Sequence, residues 1–328
     1  MQLSPRSYRN ISRRQVTIQS ARQKRPASDI LEFKTVDPRA FPVLRHYLGM
    51  SGSRSCDYTL GGIAMWTGYF DYEYCVVHDT LFIKGLSEDG SGLTAFAIPC
   101  GAMPLRESVA LLKDYCRHRG IPLIFSAVPR DRLDDMMELS PRDLWVLPIW
   151  SDYIYSIEAL ATLTGKAYNK KRNHVNRFIA DNPGWRLDPI DSTNAAEAIE
   201  LMNHLHNTAE KECQEMADYE LDHSRRVLEA WDDFGFVGGI LRDESGRAVA
   251  FTAGEIVGDT LVLHIEKADH EVAGAGEMIN KAFAEYMHGL HPSLRFINRE
   301  DDSGDPGLRY AKMSYHPAFL LEKFNLRY

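Results

Sequence analysis

A histidine and a carboxylate share one face of a predicted strand. His264 and Glu266 lie two residues apart in HIEKAD (264–269), so both side chains point to the same side. An imidazole beside a carboxylate is a common general acid–base pair. Both groups are equally familiar as satisfied polar side chains at a strand end, and the pattern leaves the two interpretations open. We expect His264 or Glu266 to act as the base, and Lys267 to bind substrate.

The segment NREDDSGDPGLRYAKMSYHP (298–317) is the most polar part of the chain. It reads as a strand exit followed by a helix that Asp305 caps and Pro306 begins. Glu300 is a candidate catalytic carboxylate that, with Asp301, fixes an amino group of the substrate. The candidate binding residues are Asn298, Asp301, Asp305, Arg309, Lys312 and Tyr315. A loop held together by salt bridges is the structural alternative, and because the DxDxDG spacing is absent we predict no metal site.

GKAYNKKRNHVNRF (165–178) forms the centre of the most basic segment, which we place in a helix over 165–180. At 100° per residue, cations gather on one face and apolar residues on the other. The cationic face fits the phosphates of a polyanion such as tRNA, a cofactor or a lipid head group. The candidate binding residues are Lys170, Arg172, Asn173 and His174. A solvated helix face is the alternative.

A glycine-rich turn, EVAGAG (271–276), joins a predicted strand to a predicted helix. That geometry offers free backbone N–H groups to an anion, which makes Gly274 and Gly276 candidate cofactor-binding residues.

Composition describes a globular chain with an unusual charge distribution. The 328 residues are 44% hydrophobic and carry a net charge of −8, which becomes −15 once the seven cations of residues 1–28 are set aside. An acidic body argues against a broad nucleic-acid surface. We read residues 1–28 as a basic, disordered arm. Since we find no membrane-spanning run and no secretory signal, we expect a cytoplasmic protein, with peripheral membrane attachment as a variant of that expectation. The five cysteines suggest neither disulfides nor a zinc site.

The predicted elements repeat once along the chain. The first half, residues 29–150, reads as helix, three strands, helix (105–119), strand and helix (130–139). The second half, residues 151–328, adds a short strand (185–190) and helices over 194–212 and 222–233. It then repeats three strands, a helix (274–289), a strand and a last helix (305–312). We therefore predict a duplicated α/β domain.

Four motifs resemble the phosphatidylglycerol lysyltransferase C-terminal-domain family. They are YIYSIEALATLTGKAYNKKRNHVNRF (153–178), AFTAGE (250–255), HIEKAD with GAGEMIN (264–280), and the polar segment 298–317. The resemblance implies an α/β fold of two tandem GNAT-like halves, each a mixed sheet flanked by helices. It also implies an aminoacyl- or acyltransferase whose best-known relatives move an aminoacyl group from aminoacyl-tRNA to phosphatidylglycerol.

The resemblance leaves donor and acceptor open. Acetyl-CoA is the weaker donor, because Glu271 stands where the GNAT pyrophosphate turn expects Arg or Gln, and an acid disfavours a pyrophosphate. We expect aminoacyl-tRNA as donor and an amine or hydroxyl acceptor on a lipid or small molecule. The predicted partners are the acceptor end of a tRNA and an anionic lipid head group. A CoA-dependent N-acetyltransferase and a non-catalytic binding module remain the alternatives.

Overall fold

The computed structural model describes residues 30–208 and 214–328. The predicted disordered arm, residues 1–28, lies outside them, as does the end of the helix predicted over 194–212. The described chain forms two mixed sheets flanked by helices, which confirms the predicted fold class.

The strands, in chain order, are β1 Lys34–Thr35, β2 Glu73–Val76, β3 Thr80–Leu86, β4 Thr94–Phe96, β5 Cys100–Gly101, β6 Ile124–Pro129, β7 Asp143–Val146, β8 Asp152–Ser156, β9 Arg186–Pro189, β10 Val237–Arg242, β11 Ala248–Val257, β12 Thr260–Ala268, β13 Phe296–Asn298, β14 Phe319–Leu321 and β15 Lys323–Arg327. The helices are α1 Phe41–Leu48, α2 Leu60–Phe70, α3 Leu105–Arg119, α4 Arg130–Met137, α5 Ile157–Thr162, α6 Asn169–Asp181, α7 Ala195–Thr208, α8 Gln214–Glu229, α9 Trp231–Phe234, α10 Ala275–Leu290 and α11 Pro306–Met313.

The two sheets share one strand order. The first runs β1-β2-β3-β4-β6-β15-β7, with β5 added beside β3, and the second runs β9-β10-β11-β12-β13-β8-β14. Each contains an antiparallel meander, then a parallel strand reached through a helix, then two further antiparallel strands. The predicted repeat of elements is therefore a repeat of topology.

The first sheet takes one inner strand from the second half of the chain. β15, residues 323–327, lies between β6 and β7 in the first sheet. β8, at the start of the second half, holds the corresponding place between β13 and β14 in the second sheet. The division at residue 150 stays a prediction, and β15 crosses it. This arrangement brings the starts of β8 and β15 together between the halves.

Local sequence explains several element boundaries. β2 ends at Val76, because His78 and Asp79 adopt φ values of 49° and 57° in the two-residue turn that leads into β3. The helix predicted over 222–233 is wrong in extent: α8 begins at Gln214, and the separate short α9 covers Trp231–Phe234. α3 ends as predicted, with Gly120 in the left-handed conformation.

Candidate active site

A cavity of about 240 Å³ lies between the two halves. The second half contributes the ends of β12 and β13, the connection to α11 and α11 itself, which supply His264, Glu266, Lys267, Arg299, Glu300, Asp301 and Lys312. The first half contributes the segment that leads into α2, α2 itself and a turn after β3, which supply Cys56, Asp57, Trp66, Phe70, Tyr72 and Glu88. Six of these seven second-half residues are predicted site residues, and Arg299 is their neighbour in sequence. The residues from the first half were not predicted as site residues.

His264 is clamped between two carboxylates. Its Nδ1 lies 2.7 Å from Glu300 Oε1 and its Nε2 lies 3.0 Å from Glu255 Oε1, while its ring stacks on Phe236. Burial disfavours the charged ring, but the hydrogen bonds to Glu255 and Glu300 outweigh it and raise the pKa of His264 to about 9. At neutral pH the ring is an imidazolium that donates both protons, which leaves it no free nitrogen to accept one.

Glu300 is held in a fixed position beside this imidazolium. Its backbone N–H donates to Asn298 Oδ1 at 2.7 Å, and its φ of 57° places a non-glycine residue in the left-handed region. Such strain persists only where the surroundings impose it, and it is concentrated at functional sites. Asn298 in turn donates to the carbonyl of Arg54 and to Asp152, so it supports the site from behind and is itself fully buried.

Glu266 forms an ion pair with Arg299 across the cavity wall. Glu266 Oε1 accepts from Arg299 Nη2 at 2.5 Å and from Asn280 Nδ2 at 2.9 Å. The Arg299 guanidinium also lies over the rings of Tyr155 and Tyr315, at 5.7 and 4.9 Å from their centroids. Arg299 was not among the predicted site residues, although it stands between Asn298 and Glu300 in the sequence.

Asp301 approaches the cavity from the connection to α11, and Lys312 approaches it from α11 itself. Burial, countered in part by Lys323, raises the pKa of Asp301 to about 6. Lys312 Nζ donates to the carbonyls of Arg299 and Asp301, and burial lowers the pKa of Lys312. Lys267 pairs with Glu220 of α8 at 2.7 Å. These three predicted residues therefore line the same cavity.

A buried ion cluster lies where β8 and β15 begin. Lys323 Nζ is 2.7 Å from Asp57 Oδ2 and 2.8 Å from Asp152 Oδ1. Asp152 Oδ2 also accepts from the Cys56 N–H at 2.9 Å. Carboxylate and thiol atoms of Cys56, Asp152 and Asp301 lie within 4.8 Å of one another, and the Lys323 ammonium is the cation beside them. The cluster ties both halves to the cavity floor.

Glu88 and Tyr72 form the side of the cavity that belongs to the first half. Burial, with Asp57 nearby, raises the pKa of Glu88 well above its ordinary value, which favours the neutral carboxyl group. The Tyr72 hydroxyl donates to Glu88 at 3.4 Å. Trp66, Phe70 and Trp150 add aromatic surface at the same side.

The remaining predicted residues of segment 298–317 have structural partners. Arg309 makes two hydrogen bonds of 2.9 Å to Asp302, and Asp305 caps α11 through Leu308 N. Tyr315 is buried beneath Arg299 and beneath Lys171, whose Nζ lies 3.8 Å from the ring centroid. Part of this polar segment is thus the loop held by salt bridges that we had set out as the alternative.

The basic helix is confirmed as α6, with Val175 and Phe178 buried and Lys170, Asn173 and His174 exposed. Arg172 behaves differently from the prediction. Its guanidinium donates to the Leu163 and Gly165 carbonyls and to Asn169 Oδ1, so it closes the turn between α5 and α6. The exposed cations, rather than Arg172, make up the surface of α6.

The glycine-rich turn lies directly against α6. Gly274 has a φ of 83°, and a Cβ there would come within 2.3 Å of the His174 carbonyl oxygen, while one at Gly276 would meet Ala268. Glu277, in the first turn of α10, pairs with Lys171 at 3.3 Å and lies 3.8 Å from His174. An acid and a packed helix therefore occupy the start of α10, where a pyrophosphate would be expected to bind.

In the part of the chain that the structure covers, we find no helix both long enough and apolar enough to cross a bilayer.

Comparison with known proteins agrees with this geometry. The chain belongs to the family described as "Phosphatidylglycerol lysyltransferase, C-terminal", whose sequence profile matches residues 50–327. The structure of L-PGS from Bacillus licheniformis is similar in fold, with a TM-score of 0.61 and 13% identity over 90% of this chain and 92% of that one.

Two further relatives carry no assigned function. A conserved protein of unknown function from Bacteroides thetaiotaomicron is 29% identical, with a TM-score of 0.82 over 90% of this chain and 99% of that one. An uncharacterized protein from Mycoplasmoides gallisepticum, MYCGA3080, is 22% identical over 183 residues, which span 53% of this chain and 55% of that protein. Family and fold together indicate an acyl- or aminoacyltransferase of the lysylphosphatidylglycerol-synthase type.

Proposed function

We propose that this protein transfers an aminoacyl group from aminoacyl-tRNA to an amine or hydroxyl acceptor, and that the cavity between the halves is its active site. The observation that carries the proposal is the cavity lining. Glu266 and Glu300 meet there with Arg299 and Lys312, so a base and cationic donors face one small space. Acyl transfer from an ester needs both, because a nucleophile loses a proton while the carbonyl oxygen gains negative charge.

Glu300 is the carboxylate best placed to act as base. His264 donates to its Oε1 and fixes its orientation, while His264 itself is protonated and therefore unsuited to that role. In the proposed reaction, the acceptor oxygen or nitrogen attacks the ester carbonyl and passes its proton to Glu300. The ester C–O bond then breaks, and Glu300 returns the proton to the ribose oxygen of the tRNA, which leaves as a hydroxyl group.

The surroundings of the glycine-rich turn favour a tRNA ester over acetyl-CoA. Glu277 lies in the first turn of α10, where it opposes a pyrophosphate, and α6 packs on Gly274. The exposed cations of α6, by contrast, suit a ribose–phosphate chain. Lys171, on the inner side of α6, reaches the Tyr315 ring that also supports Arg299, which connects this helix with the cavity.

The acceptor side has an apolar border. α11 buries Lys312 but exposes Leu308, Tyr310 and Met313, of which Leu308 lines the cavity. A helix that exposes apolar side chains in this way suits an acceptor with an apolar portion, such as a lipid with an anionic head group. Such an acceptor is also consistent with peripheral attachment to a membrane.

The test is transfer from charged tRNA. Wild-type protein is incubated with radiolabelled aminoacyl-tRNA pools and with a lipid extract or small-amine extract, and products are identified by mass spectrometry. E266Q and E300Q should each abolish product formation and leave the fold intact by circular dichroism. E285Q is the matched control, since Glu285 lies on α10 with its side chain largely exposed, and it should retain full activity. Full activity in both cavity variants contradicts this site, and no product from any charged tRNA contradicts the function.

A further inference from the structure

The Glu266–Arg299 pair leaves two buried polar atoms unsatisfied. Glu266 Oε1 accepts both of that side chain's hydrogen bonds, while Glu266 Oε2 and Arg299 Nη1 have no hydrogen-bond partner among the residues the structure covers. A buried donor or acceptor without a partner is costly. One acceptor atom and one donor atom, in two ion-paired residues that both line the cavity, are therefore left without a partner.

The pair is held so that only small adjustments are needed to reach a ligand. Tyr155 and Tyr315 support the guanidinium, and Asn280 holds one carboxylate oxygen. The terminal torsion of a glutamate is broad and soft, so Oε2 can turn toward the cavity at little cost. Both residues line the cavity: the Arg299 side chain is 12% exposed and the Glu266 side chain is 23% exposed.

One common chemical group complements this arrangement. An α-ammonium and the adjacent carbonyl oxygen of an amino acid derivative present donors and an acceptor three bonds apart. The ammonium matches Glu266 Oε2, and the carbonyl oxygen matches Arg299 Nη1. The wider lining points the same way, because five carboxyl groups besides the neutral Glu88 face four basic side chains there, an excess that favours a cationic ligand.

We propose that Glu266 and Arg299 together recognise the α-ammonium and the carbonyl of the bound aminoacyl group, with Arg299 holding the carbonyl that is attacked. This inference rests on the proposed function for the identity of the ligand. It assigns to Arg299 a role that sequence reasoning did not give it, and it makes Glu266 a specificity residue while Glu300 remains the base.

Three matched ligands separate the two contacts. L-lysinamide carries both groups, 6-aminohexanamide lacks the α-amino group, and 1,5-diaminopentane lacks the carbonyl. Isothermal titration with wild-type protein should give at least about tenfold tighter binding of L-lysinamide than of either truncated ligand, the loss expected when a hydrogen bond to a charged group is removed. The same triplet is built on alanine and on phenylalanine to cover other side chains.

Two conservative variants assign the contacts. E266Q should lose the preference for L-lysinamide over 6-aminohexanamide and keep the preference over 1,5-diaminopentane. R299K should show the reverse pattern. E285Q, the exposed control, should preserve both preferences, and melting temperatures establish that all variants fold.

The outcomes separate this inference from the proposed function. If amides bind but neither truncation costs affinity, or if the two variants do not separate the two preferences, the recognition role is overturned while aminoacyl transfer stands. If the preferences hold but no charged tRNA yields product, the recognition site stands and the transferase proposal fails. If no ligand of any triplet binds the wild-type protein, the recognition site is overturned.

Discussion

Replacing Lys323 by methionine should strongly destabilise the protein. Lys323 is fully buried and pairs with two carboxylates at 2.7 and 2.8 Å. Asp57 retains 20% side-chain exposure and can be partly rehydrated, but Asp152 has none and would be left as a buried charge without its counterion. Breaking a buried pair in this way costs about 3–5 kcal/mol. We expect that loss in the free energy of unfolding of K323M.

The assay is urea unfolding followed by tryptophan fluorescence, with the midpoint compared at constant slope. Two further variants make the result specific. K281M removes a lysine whose partner, Glu285, is 66% exposed, so it should cost less than about 1 kcal/mol. The double variant K323M/D152N removes both charges and should be more stable than K323M alone, because the orphaned carboxylate is gone. A cost below about 1 kcal/mol for K323M, or a double variant no more stable than the single one, would refute the reasoning.

Three other predictions concern the site and its surroundings. The pKa of His264 is raised from 6.5 to about 9, so between these pH values the folded state holds a proton that the unfolded chain releases. The protonated ring therefore stabilises the folded state. This stabilisation is fully present below pH 6.5 and is lost as the pH rises through 9. Wild-type stability should therefore fall by about 3 kcal/mol over that interval, and the slope should be absent in H264Q; equal slopes would contradict the clamped imidazolium. G61A places a Cβ 2.4 Å from His264 Nε2 and should destabilise the protein by about 1–3 kcal/mol and reduce transfer, whereas G289A, with open space around it, should be neutral or stabilising by thermal melting. The double variant K170A/R177A should bind charged tRNA more weakly, with a shallower dependence on salt concentration in filter binding, while R117A, a solvent-exposed arginine on α3, should leave that slope unchanged.

Local sequence patterns predicted most of the helices and strands whose apolar residues recur at the period of a helix or a strand. α3 and α10 have clear apolar stripes, and the three-strand meanders are separated by turn residues, so their positions could be predicted within a few residues. α2 was missed for a physical reason. Its sequence, LGGIAMWTGYF, is apolar on nearly all sides and contains three glycines, so neither periodicity nor helix propensity marks it. Tertiary packing and the Thr59 cap hold it in place.

The site was predictable only where its residues are neighbours in sequence. Glu300, Asp301 and Lys312 belong to one segment, and His264, Glu266 and Lys267 to another, so composition alone drew attention to them. Glu255 carried a weaker signal that we passed over: it is the one charge in the apolar strand AVAFTAGEIV. Asp57 and Glu88 gave no local signal, because their place in the cavity depends on contacts such as that between Cys56 and Lys323, 267 residues apart.

The position of β15 in the first sheet also constrains how the protein is made. β6 and β7 share β15 as a neighbour, yet 177 residues of chain separate Val146 from Lys323. At typical rates of synthesis, a ribosome needs roughly 10 to 35 s to cover that distance. Throughout that interval the nascent first sheet lacks its inner strand and presents two open edges, which are the kind of surface that chaperones shield and that aggregates recruit. A strand translated long after β6 and β7 is therefore the one that completes the first sheet.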